Sequence, residues 1–96
     1  MTLEFAAETI EWRGPAPVVF VPVPPELCEE IRAVSSRVTY GWGVIPASVT
    51  IGASTYQTSL FPRNGGYLVP VKVAIQRAES VTVGQLVRVR VEISVN

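Results

Sequence analysis

Histidine and aspartate do not occur in this chain of 96 residues, and cysteine occurs once, at Cys28. Those absences exclude a Ser-His-Asp triad, an imidazole base and a Cys/His zinc cluster, so no metal site and no cofactor is expected. Any catalysis would have to run on Glu, Arg, Lys72, Tyr, Ser or Thr, and no spacing of these supports it; the chain is not expected to be an enzyme. A single unpaired cysteine suits a reducing cytoplasm. Charge is sparse as well, eight basic residues balancing eight glutamates to a net charge of zero. That balance disfavours general nucleic-acid binding, which is driven by phosphate neutralisation. Long apolar runs are missing too. Val38 to Pro62 carries no charge, yet Ser, Thr, Gly and Pro interrupt it throughout, so it cannot serve as a membrane span. Glu4, Glu8 and Glu11 near the start are the opposite of a basic signal-peptide region.

What the chain has in abundance is β-branched side chains: 17 Val, 6 Ile and 7 Thr. These favour pleated, half-buried surfaces, and a single mainly β domain over residues 1–96 is expected. Leu3, Phe5 and Ala7 are apolar on odd positions, whereas Ile10 and Trp12 are apolar on even ones, which predicts a bulge near Ala7 to Thr9 that resets the facing. Strands are expected near residues 3 to 12, 17 to 23, 44 to 51, 55 to 62, 66 to 71 and 86 to 94. In the last of these Val87, Val89, Val91 and Ile93 alternate with polar or charged residues without a break. Pro22 implies an edge strand or a strand end. A helix is expected over 25 to 34, with Leu27, Cys28, Ile31 and Val34 on one stripe, and a second over 72 to 78 with Ala74, Ile75 and Ala78 on one side. Ser35 to Gly43 reads as a loop.

Phe20-Val21-Pro22-Val23 and Leu68-Val69-Pro70-Val71 match at an offset of 48, half the chain length. Each half then reads strand, strand, helix, strand. Two ββαβ units related by a pseudo-twofold axis would remove their sheet edges by closing into one small six-stranded barrel with two short helices. This resembles barrels of the double-psi and swapped-hairpin type. Ser80 to Val89 looks like their Gly-Asp turn, with Gln85 where Asp would stand. Phe5-x-Ala7, Phe20 to Pro24, Thr58-Ser59-Leu60-Phe61-Pro62, Gly65 to Lys72, Arg77 and Val83-Gly84 together resemble the bacterial domain of unknown function nineteen-oh-five. That resemblance covers nearly the whole chain. It implies a small β-barrel of uncharacterised biochemistry, found alone or beside an OmpD-associated bacteriocin-protection domain. Gln85 and Val73 depart from its pattern, where Asp and a second basic residue are usual.

Among individual residues, Cys28 reads as a small buried hydrophobe, and Glu26, Glu29 and Glu30 as a solvated helical face at the positive end of the dipole. Trp12, Tyr40, Trp42 and Tyr56 read as closing a small core rather than stacking a planar ligand. The candidate ligand-binding residues are Ser59, Arg63, Tyr67, Lys72 and Arg77. If the strands around Asn64-Gly65-Gly66 form a hairpin, Ser59 and Arg63 lie near Tyr67, and the second helix offers free N–H groups beside Lys72. That corner would suit a small anion or an acidic side chain of a protein partner. The competing reading is that Arg63 and Arg77 pair with Glu79 or Glu92 on the surface. The expected function is a non-catalytic barrel binding a small anionic ligand or a protein partner, as monomer or homodimer. The alternative is a dimeric DNA-binding barrel of antitoxin or transition-state-regulator type, with Arg88 and Arg90 on one basic face.

Overall fold

Alternating apolar residues shape most of the residues that the computed structural model describes, which are 1–15, 18–38 and 44–94. In chain order the elements are β1 (Thr2–Glu8), β2 (Ile10–Trp12), β3 (Val18–Pro22), α1 (Pro25–Val38), β4 (Ile45–Ile51), β5 (Ser54–Arg63), β6 (Gly66–Val71), α2 (Val73–Ala78) and β7 (Leu86–Glu92). Tyr40 and Trp42, with most of the expected loop, lie outside the described residues. The helix claims the start of that loop by running on to Val38.

All seven strands join one sheet in the order β1-β7-β4-β5-β6-β3-β2. The protein is mainly β, as composition predicts, but the sheet is curled and open rather than a closed six-stranded barrel. The physical reason lies in the first strand segment. Thr2 to Glu8 pairs with β7 alone, and Ile10 to Trp12 pairs with β3 alone, so no ladder among the described residues closes β1 against β3 or β2 against β7.

Thr9, at the break, is almost fully buried. Its N–H donates to Gln85 O at 2.9 Å and its carbonyl accepts from Gly84 N–H at 3.0 Å. Gly84 has a φ of 84°. This is the pattern of a glycine bulge, and it sits opposite the first strand rather than within it. The expected reset of facing is therefore absent: Leu3, Phe5 and Thr9 point inward, while Ile10 and Trp12 keep the exposed parity of Glu4, Ala6 and Glu8. Gln85 Oε1 accepts from Thr82 N–H at 2.8 Å. Thr9 Oγ1 adds a bond to Thr82 O at 2.5 Å. Thr9→Val keeps the shape and loses that bond, so urea denaturation should show a loss of about 1–3 kcal/mol at unchanged m-value.

Two antiparallel ladders each join an earlier strand to a later one. In β3/β6, Val21 faces Val69, with Phe20 opposite Pro70 and Pro22 opposite Leu68. In β4/β7, Val49 faces Val91, with Ser48 opposite Glu92 and Thr50 opposite Arg90. The second ladder has a shorter offset, and α2 has 6 residues where α1 has 14. The inner face is filled by Val21, Ile45, Val49, Leu60, Val69 and Val91, all fully buried. Cys28 and Ile31 carry the stripe of α1 onto them. Each such aliphatic contributes about 1.5–3 kcal/mol. In α2 no residue is buried; Ile75 is half-buried against the core, while Ala74 and Ala78 are exposed.

Candidate functional site

The five residues expected to form an anion-binding corner are distributed along β5, β6 and α2. Asn64 and Gly65, with φ of 50° and 78°, make the two-residue turn that Asn-Gly favours, and Arg63 pairs with Gly66 across it. Tyr67 pairs with Pro62 but is buried in the core. Ser59 lies half-buried further back on β5, opposite Pro46 of β4. Lys72 stands beyond the far end of β6, whose six residues at about 3.3 Å each put it roughly 20 Å along the strand from the hairpin tip. The hairpin forms as expected, and it carries Arg63 away from Lys72. Arg77 is exposed in the last turn of α2.

The surface pairing proposed for the arginines takes other forms. Glu79 accepts from Ser54 Oγ at 2.6 Å and from Ala53 N–H at 3.4 Å. Glu92 pairs with Arg90 at 3.2 Å. Lys72 Nζ lies 5.8 Å from the ring centroid of Tyr56, a cation–π contact that offsets its position at the positive end of a helix. The Tyr56 hydroxyl donates to Pro70 O at 2.7 Å, and burial pushes the phenol's pKa above its ordinary value near 10. A raised folded pKa means that the unfolded chain releases this proton first. Its contribution to stability is thus full below about pH 10 and is lost as pH rises beyond it. Urea midpoints should fall across that range, and Tyr56→Phe should flatten the fall.

A different feature stands out on the outward side of β2, β3, β6 and β5. Directly paired residues share a face. One row runs Ile10, Phe20, Pro70 and the next Pro22, Leu68, Phe61, with Trp12 and Val18 paired beyond the first. Phe20 and Leu68 are buried yet stand apart from the inner core. Phe20 meets Phe61 edge to face, centroids 6.3 Å apart. Around this covered centre Ile10, Trp12 and Phe61 are 39%, 53% and 45% exposed. Ser59 and Arg63 flank Phe61 at the same outward parity of β5. Sequence reasoning assigned Trp12 to the core and missed this face. The signal was present in Ile10 and Trp12, whose parity was wrong for the interior.

The outward side of β1, β7 and β4 is polar by contrast. Arg90 approaches Glu4 at 4.0 Å as well as Glu92. A cleft of about 300 Å³ lies there, lined by Glu4, Thr50, Gly52, Arg88, Val89 and Arg90. Among the described residues no group of three or more Cys or Glu side chains could hold a metal ion, and no helix is long and apolar enough to cross a membrane.

A family model described as Domain of unknown function (DUF1905) matches residues 5–91. No curated protein and no solved structure matches the chain.

Proposed function

The chain belongs to the DUF1905 family, and from that premise, which brings no activity with it, we propose that it is a non-catalytic protein-binding domain whose contact surface is the outward apolar face of β2, β3, β5 and β6. The observation that carries this reading is the continuity of exposed Ile10, Trp12 and Phe61 with the covered Phe20 and Leu68. Contiguous apolar patches on a small domain mark binding surfaces, and aromatic residues concentrate at their centres. The anionic-ligand reading has less support, because Arg63 and Lys72 stand at opposite ends of β6. DNA binding has less support as well, because Arg90 is engaged by Glu4 and Glu92.

Selection from a phage-displayed random peptide library tests the proposal. The expected peptides are uncharged and rich in apolar and aromatic residues, their binding abolished by Phe61→Glu and kept by Arg88→Glu. Acidic peptides lost with Lys72→Met or Arg88→Glu, or a selection that enriches nothing, would overturn it.

A further inference from the structure

We draw no further inference here: the strongest candidate, the open cleft around Arg88 on the outward side of β1, β7 and β4, carries nothing because the Arg90 beside it is already paired with Glu4 and Glu92 and nothing in the structure shows what fills it.

Discussion

Leu60→Ala should cost about 2–5 kcal/mol in urea or thermal denaturation. Leu60 is completely buried on β5, the strand that pairs with β4 along its first part and with β6 along its last. Its side chain thus fills the space where the sheet curls over. The surrounding β-branched residues have few alternative rotamers, so the void cannot collapse and the loss should fall in the upper part of that range. On a domain of this size a typical total stability is about 5–10 kcal/mol, so the variant should lose a large share of it and its denaturation midpoint should fall well below that of the wild type. Phe61→Ala, one residue along but 45% exposed, should cost far less. Equal losses at the two positions would contradict the assignment of inner and outer faces.

Gly52→Ala is the second large effect. Gly52 has a φ of 58° and opens the two-residue turn between β4 and β5, where Ile51 pairs with Ser54. Placing Ala in the left-handed region costs about 1–2 kcal/mol. A methyl there would also overlap the Glu79 carboxylate, displacing it from Ser54 Oγ and Ala53 N–H. A charge-assisted hydrogen bond contributes about 1.5–3 kcal/mol, less when it is exposed to water, so the total loss should be about 2–3 kcal/mol. In the background of Glu79→Ala the same substitution should cost only the backbone part. A double-mutant cycle with no coupling between the two sites would show that Glu79 does not hold the turn.

The inner face was readable from alternation wherever a strand has one wet side. Val87, Val89, Val91 and Ile93 are buried as period two requires, and Leu27, Cys28 and Ile31 mark the core side of α1. The two turns were readable from Asn64-Gly65 and from Gly52. Barrel closure was not, because it depends on which neighbour each half of the first segment pairs with, and Thr9 spends its backbone bonds on Gly84 and Gln85. A glycine bulge opposite a strand leaves no mark in that strand's own sequence. Nor was the outward face readable while every apolar residue was assigned to one interior. Val18 to Val23 is a near-continuous apolar run because both sides of β3 are covered, Val19 and Val21 by the core and Phe20 by Phe61. The basic corner failed for a related reason. Adjacency in sequence across a six-residue strand is distance in space.

Titration of isotope-labelled protein with a peptide taken from the library selection, followed through the protein's amide and methyl resonances, reads directly whether binding occurs on the outward face of β2, β3, β5 and β6. The perturbed signals should cluster on Ile10, Trp12, Phe20, Phe61 and Leu68, with Arg88, Arg90 and Lys72 unmoved. Perturbations gathered instead on the cleft of Glu4, Thr50, Arg88 and Arg90, or on Lys72 and α2, would contradict it.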